Sequence, residues 1–383
     1  MMGRLLMIPG PTNVPSRVLE AMYRPIINHR GPEFEALYAE LFENLKYFFQ
    51  TSWDVIPFTS SGTGAMECVV SNSIAPGDKV LVPLYGNFTN RIREIVEAYG
   101  GEAITFKVPE REAVTAKQIE EALSKVGKVK MVYVVFNETS TGVAIKDLKE
   151  MARIAHEYNA LIAVDAISGL GGDELPVEEW QIDFCVAASQ KCLAGPPGMS
   201  MVSVSDRAWE VVNSMKPRSH YFNLKLYKRF FLERRQPPFT PAVPIFIAVN
   251  EALKLLKEEG IENRIKRHRI CAEAFYRAFE AMGLKCYAKP EFRSNTVIAV
   301  EVPEGLTDVD IRRVMREKYN ISIAGGMADL RGKIIRIGSM GIIDKSMVIR
   351  TVSALECTLK ELGFKIDVGV GVEAALEVFS KYS

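Results

Sequence analysis

The sequence predicts an α/β protein: a large domain with a mainly parallel sheet flanked by helices, followed by a smaller α+β C-terminal domain. Three observations predict it. Short unbroken runs of Val, Ile and Leu, bounded by Gly and Pro, recur between residues 55 and 187, and runs apolar at every position suit strands covered on both faces. Amphipathic helical stretches separate these runs, an alternation that calls for parallel strands joined by right-handed crossovers. Past a long helical region the pattern changes to an α+β one.

Taken in order, residues 55–58 read as a strand and 64–74 as the helix after it. Residues 79–82 and 88–99 form the second such pair, and 131–136 and 146–158 the third. Residues 161–164 and 182–187 are further buried strands. One helical region is expected over 245–282, then a strand at 295–302, a helix at 308–318, a strand at 333–337 and a helix at 346–362. There is no internal repeat and no low-complexity linker. The expected division is an N-terminal arm at 1–16, a large domain at 17–262 and a small C-terminal domain at 263–383.

Composition narrows the function classes. The 383 residues are 48% hydrophobic, ample for a large core. Lys+Arg number 48 against 47 Asp+Glu, a net charge of +1, which leaves no electrostatic footprint for a nucleic acid. The short basic runs at 228–229 and 264–269 read as solvated helix faces. The six cysteines form no C-x-x-C pair and read as free thiols of a reducing compartment. Four histidines without H-E-x-x-H spacing give no zinc site, and no metal is expected. Residues 1–8 are too short for a signal-peptide core before Pro9-Gly10-Pro11, no apolar run reaches membrane-spanning length, and 380–383 is not a peroxisomal address. The expectation is a soluble cytoplasmic protein with no nucleic-acid or membrane partner.

Ligands of open α/β sheets sit at the carboxyl ends of the strands, and four elements fall there. Ser60 to Ala65 is a Gly-containing strand-to-helix turn; its free N–H groups favour an anion, although taken alone it reads as a plain turn. Asp165 ends a buried strand, facing a site or capping the next segment. Ser189-Gln190-Lys191 follows another strand; a lysine partly desolvated there becomes a usable nucleophile, whereas an ordinary lysine stays on the surface. Asn137 to Gly142 is a polar loop after a very apolar strand. Together they meet the needs of pyridoxal 5'-phosphate (PLP): a Schiff-base lysine, an acid to keep the ring nitrogen protonated, and a phosphate cradle.

The chain resembles the class V aminotransferases of PLP-dependent fold type I, most of all the alanine–glyoxylate, serine–pyruvate and serine–glyoxylate group. The residues that carry the resemblance are Pro9-Gly10-Pro11, Ser61 to Gly64, Glu138 to Gly142, Val164-Asp165, Ser189-Gln190-Lys191 with Pro196-Pro197-Gly198, and Lys333 to Gly338. The resemblance implies that Lys191 holds PLP, that Asp165 pairs with its ring nitrogen, and that Phe88 stacks on the ring where many relatives carry tryptophan. It implies Ser140 near the ring hydroxyl, Ser61, Gly62, Thr63 and Gln190 around the phosphate, and Gly10 beside the substrate. Arg336 would grip the substrate carboxylate, a task that suits its planar fork of donors. Thr240 lies in a segment that in relatives reaches the neighbouring subunit's phosphate, which implies a homodimer with shared active sites; Pro237 stands where some relatives have tyrosine. The implied activity is transfer of an amino group from alanine or serine to glyoxylate or pyruvate. A phosphoserine aminotransferase is the nearest alternative, because His29-Arg30 could serve a second anion, although the stretch Asn28 to Phe34 around the pair also resembles serine–glyoxylate enzymes and does not decide; an aspartate-using member is a further alternative. A cysteine desulfurase would carry histidine where this chain has Phe88 and Gln190.

Overall fold

The structure, a computed structural model, describes residues 3–382; Met1, Met2 and Ser383, at the tips of the N-terminal arm and the C-terminal tetrapeptide, lie outside them. A seven-stranded sheet forms the larger unit. Its spatial order is Asp54–Thr59, Met199–Val204, Phe184–Ala188, Leu161–Asp165, Met131–Val135, Lys79–Leu84 and Glu102–Lys107. The central strands are buried at every position, which is why they are uninterrupted Val, Ile, Ala and Leu. Neighbours pair in parallel except at Met199–Val204, which is antiparallel to both of its partners. Two reversals cancel, so Asp54–Thr59 runs the same way as Phe184–Ala188. Six strands therefore end on one edge of the sheet.

Two strands of this sheet escaped the sequence reading. Glu102–Lys107 is an edge strand with no buried residue and with exposed Glu102, Thr105 and Lys107, so it lacks the continuous apolar run. Met199–Val204 carries two buried serines, Ser200 and Ser203, which break up its hydrophobic pattern. The helix expected over 245–282 is two helices, Val243–Glu259 and Ile261–Ala281. Gly260 between them takes φ 83°, a left-handed conformation that stops the first helix.

That break separates two hydrophobic cores. Phe246, Val249 and Leu253 of the first helix pack with the sheet, while Phe275 and Phe279 of the second join Ile298, Ile335, Val352 and Leu355. The second core rests on an antiparallel sheet ordered Val297–Glu301, Ile334–Gly338, Ala324–Gly325. The N-terminal segment belongs to it as well: Leu5–Leu6 pairs with Ile321–Ser322, and Leu5 and Met7 are buried there. Among the described residues no helix is long and apolar enough to cross a membrane.

Candidate active site

Lys191 follows the strand Phe184–Ala188 in a tight turn, closed by Gly195 N donating to Ser189 O at 2.8 Å and Ala194 N to Lys191 O at 2.9 Å. The N-terminal arm crosses over this turn. Thr12 N donates to Gln190 O at 3.1 Å and Thr12 Oγ1 to Lys191 O at 3.2 Å. The Lys191 amine itself donates to Pro9 O. Burial lowers its pKa to about 8, with Arg336 and Arg91 pushing the same way and Asp165 opposing them. Desolvation penalises the ammonium form, so the amine is far more available than on a surface lysine.

Asp165, the last residue of Leu161–Asp165, is buried. Its Oδ1 accepts from Ile167 N at 2.9 Å. Burial pushes its carboxyl up to about 7, and the nearby charge of Glu138 adds to the rise. A cation placed against it would reverse that shift and hold it ionised.

Arg336 lies in the strand Ile334–Gly338 and is buried. Its Nε donates to Gly325 O and one terminal nitrogen to Thr139 O, both at 2.8 Å. The guanidinium is thus braced by carbonyls, and among the described residues it forms no ion pair with an acid. Burial lowers its pKa to about 10. A buried cation held this way has N–H groups left for an incoming carboxylate.

The helix Gly62–Ser73 starts at Ser61, which gives no side-chain cap to its first N–H groups. Uncapped N–H groups at a helix start favour an anion. Gln190, just past the strand Phe184–Ala188, has a buried Oε1 with no hydrogen-bond partner among the described residues, an acceptor open to a donor. Phe88 is the second residue of the helix Asn87–Ala98 and half-buried. Ser140 is buried at the start of the same helix: its hydroxyl donates to Glu138 Oε1 at 2.5 Å and accepts from Asn87 N at 2.9 Å.

Sequence reasoning gave Glu138 no role of its own. It is fully buried, and its carboxylate accepts from Phe88 N at 3.0 Å and Thr89 N at 3.1 Å. It therefore anchors the helix start that carries Phe88, where a negative charge is favoured. Gly86 is the counterpart of this contact, because a Cβ there would lie 2.2 Å from Glu138 Cγ. The available signal was an acid inside an otherwise buried stretch, since unpaired glutamates are almost never buried.

Thr240 lies apart from these contacts in the chain: it is exposed, and its hydroxyl pairs with His29 Nε2 at 3.3 Å. Arg30 donates to Gln236 Oε1 at 3.2 Å, Pro237 O at 2.6 Å and Pro238 O at 2.9 Å. The His29-Arg30 pair thus holds the Thr240 segment in place.

The residues fit PLP. A buried lysine of lowered pKa, a buried acid short of a cation, and a helix start whose first N–H groups carry no side-chain cap each match one part of the cofactor. Among the described residues, no group of three or more His, Cys, Asp or Glu could hold a metal.

The family described as aminotransferase class-V matches residues 5–348. An uncharacterized aminotransferase of Methanocaldococcus jannaschii is 46% identical over 379 residues, covering 99% of this chain and 98% of the relative. The soluble hydrogenase small subunit of a Synechococcus species is 36% identical, covering 98% of each. The serine–glyoxylate aminotransferase of Methylorubrum extorquens is 34% identical, covering 97% of this chain and 94% of the relative. Among solved structures, the ureidoglycine–glyoxylate aminotransferase of Bacillus subtilis superposes with a TM-score of 0.95 at 32% identity, covering 99% of both chains. The likeness runs the length of both halves and includes the segments of Lys191, Asp165 and Arg336; the chain belongs to the class V aminotransferases, PLP-dependent enzymes of fold type I.

Proposed function

We propose that this enzyme moves the amino group of a small amino acid, alanine or serine, to glyoxylate or pyruvate in two successive half-reactions. The observation that carries the reading is a buried acid and a buried amine at one sheet edge: Asp165 ends the strand that runs parallel beside the one Lys191 follows, and the Lys191 amine is held against Pro9 O. The named activities of the Methylorubrum relative and of the Bacillus structure support glyoxylate as acceptor.

When bound, PLP supplies an electron sink for the substrate's Cα and carries the amino group between half-reactions. In our reading Lys191 attaches the cofactor, then takes the proton from the substrate Cα as general base and later returns it. Asp165 holds the proton on the ring nitrogen, because its negative charge favours the protonated form. Arg336 grips the substrate carboxylate, and Gly10 borders the substrate beside Lys191. Ser61, Gly62, Thr63 and Gln190 hold the phosphate, Phe88 stacks on the ring, and Ser140 lies near the ring hydroxyl. Thr240 completes the phosphate site of a second copy, so the working unit is a homodimer in the cytoplasm. The division at residues 16 and 262 belongs to the same proposal. Phosphoserine is the less favoured donor, because three of the five Arg30 N–H groups are engaged by Gln236, Pro237 and Pro238.

A matrix of donors against acceptors, read as single half-reactions, tests this. Alanine or serine with glyoxylate or pyruvate should be fastest. Faster turnover of aspartate or phosphoserine would replace the substrate assignment while leaving the transaminase intact.

A further inference from the structure

Arg91 lies one helical turn beyond Phe88, on the same face of Asn87–Ala98. Its guanidinium carbon sits 4.6 Å from the centroid of the Phe88 ring. One terminal nitrogen donates to Thr63 Oγ1 at 3.2 Å. Among the described residues Arg91 makes no ion pair, unlike its helix neighbour Arg93, which is paired with Glu94 and Glu97. The side chain is half-buried, a costly place for a cation that only packs.

The two elements that Arg91 joins come from distant parts of the sheet. The helix of Thr63 follows Asp54–Thr59, and the helix of Phe88 follows Lys79–Leu84; four strands lie between them. No ladder of backbone hydrogen bonds links one to the other directly, so side chains must set the spacing at their tips.

We propose that Arg91 is a positioning residue that locks the ring-stacking side chain Phe88 to the phosphate loop at Thr63, fixing the distance between the two halves of the PLP cradle before the cofactor arrives. The inference rests on the reading of Phe88 and Thr63 as cofactor contacts. One planar group does both tasks: its central carbon lies over the ring while a terminal nitrogen donates to the hydroxyl. Lysine, a point charge on a flexible stem, cannot reproduce that pairing. The charge of Arg91 also acts on Lys191 and Asp165.

The test uses the full-length chain stripped of cofactor, with PLP affinity as the readout and the thermal unfolding midpoint as a control. Arg91→Met should weaken PLP binding on the order of tenfold, the weight of one charge-assisted hydrogen bond. Arg91→Lys keeps the charge and should recover only part of the loss. Because the three residues act as one unit, the loss should shrink when Arg91→Met is made in a Thr63→Val, Phe88→Leu background. Fully additive losses overturn the inference. So does PLP affinity within about twofold of wild type in both single variants, since contacting groups couple by more than that. Should Arg91→Met not fold, Arg91→Lys carries the same comparison. Borohydride reduction of the wild type separates the two levels. If PLP is found on Lys191 and Arg91 has no effect, the inference alone fails. If no PLP is held on Lys191, the site reading fails and the inference falls with it.

Discussion

Gly10 and Lys191 stand so close that a Cβ on Gly10 would lie 2.6 Å from the lysine Nζ. Gly10 also takes φ +94°, a conformation that residues with side chains rarely adopt. The N-terminal arm is thereby pressed onto the amine, and no other residue fits between them. Gly10→Ala should displace Lys191 and lower kcat sharply while the protein stays folded. Folded Gly10→Ala enzyme with wild-type kinetics would contradict the contact.

Lys191 should carry the cofactor, and borohydride reduction with peptide mapping should place the label there; a label on another lysine sinks the assignment. The amine is reactive when neutral, and burial lowers its pKa to about 8. In the cofactor-free protein its rate of acylation should therefore rise with pH around a midpoint of about 8. A midpoint near ~10.4, the value of a free lysine, would show that burial does not act on it.

Asp165→Asn should retain some PLP and lose most turnover. By analogy with a broken buried charge pair the barrier should rise by about 3–5 kcal/mol. Turnover at the wild-type rate would remove Asp165 from its role at the ring nitrogen.

Arg336→Lys keeps the positive charge but loses the planar donor pair and the brace to Gly325 O and Thr139 O. KM for the amino acid should rise by roughly tenfold or more, as expected for a lost charge-assisted hydrogen bond, while PLP affinity holds. An unchanged KM for every competent donor rules the assignment out.

Thr240 is the test of shared sites. Mixed dimers are made from one Lys191→Ala chain and one Thr240→Ala chain. If Thr240 acts on the partner's phosphate, both defects meet at one site and the other is intact, so activity per intact site should match wild type. An active monomer in sedimentation at assay concentration refutes the dimer outright.

The positions of Asp165 and Lys191 were legible because one ends and the other closely follows a strand buried on both faces. Such strands are unbroken apolar runs, and the polar residues at and just past their ends lie at the sheet edge. The start of the Phe88 helix was legible to within a residue from its amphipathic pattern. What anchors that start was not. Glu138 reaches the N–H groups of Phe88 and Thr89 from a different strand, and no local spacing records such a contact.

The sequence by itself determined five of the seven strands of the large sheet, the class of sheet and the residues at those strands' ends, because strand and helix periodicities are local and burial on both faces leaves a compositional trace. Only the tertiary structure decided which of those ends meet. Sheet order sets the helices of Thr63 and Phe88 on strands that are not neighbours, yet Arg91 joins them. Gly260 divides one helical pattern between two cores. The N-terminal arm reaches Lys191 because Leu5 and Met7 are buried in the second core. Each is a contact between segments far apart in the chain, fixed by which apolar faces must be covered together rather than by the residues adjacent in sequence.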